Sequence, residues 1–238
     1  MCLFKIIQKE LFILSELYAK AQQAKQNRLN INIALMEAGV VIIDPDNTYI
    51  EEGVKIGKNT VIQPNCHIKG DTQIGEGCEI GPNSIIEDCT IGNETTVLIS
   101  VLTKSKVGNK TAVGPFAYIR PNSEVGNSIK VGDFVEIKNS KIADGTKISH
   151  LTYVGDSDVG SNVNFGCGTV TVNYDGEHKY RTVIGDNVFI GCNANLVAPV
   201  KINDNAFIAA GSTITDDVES DALAIARARQ VVKSGWNK

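Results

Sequence analysis

From Ile50 onward an aliphatic residue returns at every sixth position, through Ile56, Ile62, Ile68, Ile74, Ile80 and Ile86. Six is neither the helical period of about 3.6 nor the strand period of about 2. With small or branched residues four places after most of these aliphatics, it is the mark of a hexapeptide repeat, which builds a parallel β-helix. Shortened units break the step up to about residue 106. It returns at Val107, Val113, Ile119, Val125, Val131 and Ile137, then at Ile142, Ile148 and Val154, and again at Val159, Phe165 and Thr171. A last run takes in Ile184, Ile190, Leu196, Ile202, Ile208 and Ile214. Three hexads close one triangular coil, so residues 18 apart stand in adjacent coils at about the 4.8 Å strand spacing. Roughly two dozen hexads predict about eight or nine coils with the aliphatic positions turned inward. Residues 1–38 have no such step. Leu11, Leu14, Leu17, Tyr18 and Ala21, then Leu29, Ile33 and Met36, separated by Lys, Gln and Glu, predict an amphipathic helical arm that Gly39 stops. The predicted fold class is all-β, with a helical arm over 1–38, a β-helix over 39–215 and a C-terminal tail over 216–238.

Composition narrows the class. The 238 residues, 42% hydrophobic and 21% charged, can bury a core as one elongated domain or two compact ones. A net charge of -4 argues against a general nucleic-acid binder, which would carry a basic face. Cysteines 2, 66, 78, 89, 167 and 192 form no CxxC pair, and most sit inside hexads where small side chains are wanted. They read as reduced thiols of a cytoplasmic protein. The apolar run at 11–14 is far too short to span a bilayer, so no membrane association is expected.

The repeat register shows which polar residues share an edge. His150, Cys167, Cys192 and Ala210 each stand third in their hexads, at spacings of 17, 25 and 18. A one-residue deletion between Val154 and Val159 accounts for the 17. Seven extra residues between Thr171 and Ile184, within NYDGEHKYRT, account for the 25 and must loop out of the coil. The four therefore form one column, and Arg120 and Lys138, 18 apart, form a stack of two cations. Taken singly these residues are ordinary in a β-helix: small side chains suit tight corners, a lone histidine is commonly solvated, and corner Lys and Arg face water. Taken together, a histidine heading a column of small residues beside stacked cations and a polar loop fits group transfer from a long, thin carrier to an anionic acceptor. A three-histidine zinc site is excluded within one subunit, because His67 precedes His150 by 83 residues, more than four coils or about 20 Å. A non-catalytic scaffold is the remaining alternative from another class.

The segments FAYIRPNSEVG, GDFVEIKNS, SHLTYVGD, NVNFGCGTVTVNYDG, HKYRTVIGD, LVAPV, IAAGSTIT and LAIARARQ, between residues 116 and 230, carry a family resemblance that takes in residues 39–236. The chain resembles the acetyltransferase domain of the bacterial bifunctional N-acetylglucosamine-1-phosphate uridyltransferase / glucosamine-1-phosphate acetyltransferase. That resemblance implies a left-handed β-helix, a parallel homotrimer, and acetyl transfer from acetyl-CoA to the amine of glucosamine 1-phosphate without a metal. It also implies roles. His150 would be the general base, which an imidazole with an ordinary pKa of about 6.5 can be near neutral pH. Arg120 and Lys138 would hold the sugar phosphate, with Tyr153 and Asn164 completing the sugar site and Lys179 meeting an anionic group. Apart from the resemblance, the place of Glu136 two residues before Lys138 suits it either to orient the base or the sugar, or to a structural role as an exposed β-helix carboxylate. Cys167, Asn173, Tyr174, Cys192, Ala210 and Arg227 fall where that family binds acetyl-CoA, and backbone N–H groups near Cys192 or the Asn173 amide are candidates to stabilise the oxyanion. The family's nucleotidyl-transfer domain, opened by a Gly-rich nucleotide-binding loop, has no counterpart in residues 1–38, so uridyl transfer is not expected.

Overall fold

The structure, a computed structural model, describes residues 2–236. One helix, Cys2–Glu37, precedes a β-solenoid of about 10 turns, more than the hexad count predicts. The difference has a local cause: pairing already begins with Val41–Ile42 and still holds at Leu223–Ala224, on sequence too irregular to show the six-residue step. Among the described residues the strands form two all-parallel sheets, of 19 and 9 strands. Most strands are two or three residues long, because each must turn a corner before the next begins.

Each inward aliphatic stacks on the one a coil below: Ile62 pairs with Ile80, Ile119 with Ile137 and Ile190 with Ile208, all fully buried. Each such side chain contributes about 1.5–3 kcal/mol of transfer free energy. Thr and Ser fill the buried position four places on. There the hydroxyl of Thr111 donates to the Gly126 carbonyl (2.8 Å) and accepts from the Ile129 amide (3.1 Å), tying one coil to the next. Cys66, Cys78 and Cys89 take the same position, and burial pushes the Cys66 thiol up to about 11. At the corners the chain enters the left-handed region, often with Asn, as at Asn122, Asn162, Asn193 and Asn205. This side chain tolerates positive φ better than most.

The helix ends as the sequence predicts: Gly39, at φ 98°, reverses the chain and the Val40 amide reaches the Leu35 carbonyl. Its last turns dock through Ile31, Leu35 and the fully buried Asn32, whose amide donates to the carbonyls of Pro45 and Thr48. Ile13, Leu14, Leu17 and Tyr18, earlier on the helix, stay exposed. No helix among the described residues is long and apolar enough to cross a membrane.

Two elements break the short-strand rule and position the site. Lys130–Lys138 and Lys147–Gly155 are nine-residue strands that run around a corner without interruption, and each therefore belongs to two faces. They pair side by side, with Asp133 opposite His150, Glu136 opposite Tyr153 and Lys138 opposite Gly155.

Candidate functional site

Where the paired strands round the corner, His150 and Asp133 project together, and Nδ1 of the imidazole lies 2.8 Å from Oδ1 of the carboxylate. Asp133 holds the Nδ1 side of the ring, which leaves Nε2 as the free nitrogen. The same contact keeps the Asp133 carboxyl below its usual range, first through the hydrogen bond from His150 and then through its own backbone. Glu136 lies with the cations rather than with His150: its Oε1 accepts from Nη1 of Arg120 at 2.7 Å. Asp133 was not among the sequence candidates, although a signal existed. It stands third in the hexad from Val131, 17 residues before His150, so the column of His150, Cys167, Cys192 and Ala210 extends one coil back to it.

Further along the column the predicted stacking is visible in the backbone. Asn193 N–H donates to the Cys167 carbonyl and Gly211 N–H to the Cys192 carbonyl, each at 2.8 Å. Cys167, Cys192 and Ala210 are all exposed. The coils approach so closely here that a Cβ on Gly191 would lie 2.4 Å from the Ala210 nitrogen. The column ends beside Arg227, whose Cδ would be 3.6 Å from a Cβ on Gly211.

At the next corner Arg120, Lys138, Asn139, Asp156 and Lys179 line a cleft of about 310 Å³. Lys179 reaches it from the predicted loop, which is a small hairpin. Tyr174 and Lys179 bridge antiparallel, Asp175 Oδ1 accepts from the amides of Glu177 and His178, and Tyr180 N–H returns to the Asn173 carbonyl. Arg181 clamps the exit by a two-pronged ion pair to Asp158 (2.7 and 2.8 Å). Lys138 is held below the ordinary lysine value, chiefly by the adjoining Lys179 and then by desolvation, while Asp156 pulls the other way. Two like charges in one cleft describe a place that an anion would stabilise. Tyr153 lies on the face between the two corners, its hydroxyl folded over Gly155, where a Cβ would come within 2.3 Å.

Asn173 is buried and donates one of its two side-chain N–H groups to Asp156. Tyr174 is exposed on the hairpin. Asn164 stands apart from the cation cleft. It pairs between Lys147 and Phe189, on the face that precedes the His150 corner, whereas the cleft is at the corner that follows. The chain thus brings together Arg120, Lys138 and Lys179, and separately aligns His150 with Cys167, Cys192 and Ala210.

Residues 181–216 match the family described as Bacterial transferase hexapeptide (six repeats). Over 218 residues the chain is 57% identical to the Bifunctional protein GlmU of Clostridium beijerinckii, and over 212 residues 62% identical to that of Caldanaerobacter subterraneus subsp. tengcongensis. These matches take in 92% and 89% of this chain but 48% and 46% of the relatives, so the chain spans about half the length of the curated relatives it matches. Among solved structures, a UDP-N-acetylglucosamine acyltransferase from Campylobacter jejuni is similar with a TM-score of 0.37 and 19% identity, over 78% of this chain and 71% of that one.

Proposed function

We propose that this hexapeptide-repeat chain is a glucosamine-1-phosphate N-acetyltransferase, moving the acetyl group of acetyl-CoA to the sugar amine in the synthesis of UDP-N-acetylglucosamine in the cytosol. The observation that carries the reading is the pairing of a carboxylate-held histidine, Asp133–His150, with a three-cation cleft on the neighbouring corner of the same coils. In this reading Arg120, Lys138 and Lys179 bind the phosphate, and His150 Nε2 takes a proton from the amine as its nitrogen attacks the thioester carbon. Asp133 keeps the proton on Nδ1 and stabilises the imidazolium that forms. The C–N bond closes, the C–S bond breaks, and the departing sulfur takes the proton that His150 holds. Tyr153 and Asn164 contact the sugar, and the coenzyme lies along Cys167, Cys192 and Ala210, with Asn173, Tyr174 and Arg227 at its sides.

The working form in this reading is a homotrimer. Asn164 and the cation cleft lie on different faces of one prism, so a site that uses both is completed by a neighbouring copy. Beside the Asp133–His150 corner a ridge of Phe116, Phe134 and Leu151 is 54%, 59% and 58% exposed, and supplies an apolar surface for that contact.

The test is thiol release from acetyl-CoA by the purified chain. Release that requires glucosamine 1-phosphate and is far slower with unphosphorylated glucosamine is expected. No release, or equal release with both sugars, would overturn the assignment.

A further inference from the structure

We infer that Asp156 is a positioning residue that joins the cation cleft to the coenzyme side of the site, so that each substrate binds more tightly when the other is present. The inference rests on the acetyltransferase reading above, and its starting point is a buried charge that the turn itself does not need. The two corner positions next below it in the same column are Asn139 and Asn122, which turn the chain at positive φ without a charge. Asp156 makes the same turn at φ 48°, yet carries a carboxylate that is 5% exposed. A buried carboxylate is costly unless its oxygens are hydrogen-bonded.

Both oxygens are used. Asn139 donates to Oδ1 and Asn173 donates to Oδ2, each through its side-chain amide. The main chain of Asp156 is tied as well: its N–H donates to the Lys138 carbonyl (2.9 Å), and its own carbonyl accepts from Thr182 (3.1 Å). One residue therefore holds the cleft strand through Lys138, the hairpin's entry through Asn173 and its exit through Thr182. The contact also fixes the Asn173 amide, with one of its two N–H donors on Asp156 and its oxygen turned the other way. Electrostatics runs through the same point, since Asp156 favours the charged form of Lys138 against the repulsion of Lys179. A phosphate that settles between the lysines draws in Lys179, and with it the hairpin that begins at Asn173. A coenzyme that orders Asn173 orders the same hairpin from its other side.

The experiment is a calorimetric titration of the full chain with coenzyme A, with and without saturating glucosamine 1-phosphate. For the unmodified protein the sugar phosphate should tighten coenzyme A binding by about 5-fold, the low end of usual coupling strengths. Asp156→Asn keeps the volume and should abolish that factor while raising KM for both substrates. Asn173→Asp sets two carboxylates against each other and should weaken coenzyme A binding. Combined with Asp156→Asn it re-forms an amide–carboxylate pair with reversed polarity, and coenzyme A binding should return. This pair of variants keeps the test open if Asp156→Asn alone fails to fold. Absence of coupling in the unmodified chain, equal coupling in Asp156→Asn, or a double variant that recovers thermal stability but not coenzyme A binding would overturn the inference. Failure of thiol release with the coupling intact would instead overturn the assigned reaction.

Discussion

At the scale of single residues, His150 and Asp133 divide one task unequally. If His150 is the base, His150→Ala should lower kcat by roughly 10²–10⁴ with both KM values nearly unchanged. Asp133→Asn should also lower kcat, by up to about 10⁴-fold, because an amide opposite Nδ1 favours the tautomer with the proton on Nε2, which cannot accept the amine proton. Steady-state kinetics on both variants, with oligomer size checked for each, separates this from a structural histidine, whose loss would lower thermal stability with little change in kcat. The Asp133 carboxyl also carries a linkage. Its pKa is lower folded than unfolded, so the stabilisation that its hydrogen bonds give is fully present above the ordinary carboxylate value of 3.8 and fades as pH falls through the depressed one. Much of this chemistry was legible in the sequence, because six-residue counting aligns outward side chains as reliably as inward ones. His150, Cys167, Cys192 and Ala210 were found in that way. Asp133 was open to the same count but lay a coil before the point at which the column was begun. Asp156 was not legible: an Asp at a corner looks like the many Asn and Asp turn residues, and nothing in one sequence reveals burial.

Among the elements, the hairpin after Asn173 has the sharpest consequence. Its length was legible from the interrupted register. Its return toward Lys138 was not, since that depends on side chains 41 residues apart in sequence. The long strands were hidden for a similar reason, because Lys130–Lys138 and Lys147–Gly155 keep the same six-residue step as their short neighbours. With Lys179 swung against it, Lys138 has a folded pKa below its ordinary 10.5. The unfolded chain therefore binds more protons between those two values, and the ligand-free protein gains stability as pH rises through that window. Lys179→Gln should remove this gain and raise KM for the sugar phosphate. Inorganic phosphate should remove it too, by restoring the charged form of Lys138. Melting temperatures across alkaline pH, with and without phosphate, check all three outcomes; a Lys179→Gln curve parallel to the wild type would refute the like-charge account.

For the whole molecule, the ridge of Phe116, Phe134 and Leu151 is the surface on which the proposed trimer rests. The two phenyl rings stack at 5.6 Å, and all three residues sit at positive φ (58°, 56° and 37°), where a large side chain costs roughly 1–2 kcal/mol. In the proposed trimer that cost is offset when a neighbour covers the ridge. Phe134→Asp should then leave a folded monomer by light scattering, with activity largely lost although His150 and the lysines are untouched; a fully active trimer would clear the ridge of this role. The solenoid itself has a further consequence. Each coil touches only the coils before and after it, so cooperativity decays along the axis and opening can start from an end without involving the middle. The first coils are plugged by Asn32, Ile31 and Leu35, while the last strand, Leu223–Ala224, has only one side paired and exposes Leu223. Amide hydrogen exchange should therefore form a one-sided gradient, fastest after residue 213 and slowest in the coils around Lys130–Gly155. Heat or denaturant would then strip Arg227 and Ala210 from the solenoid before reaching His150, so coenzyme affinity would be lost ahead of the proton-transfer pair.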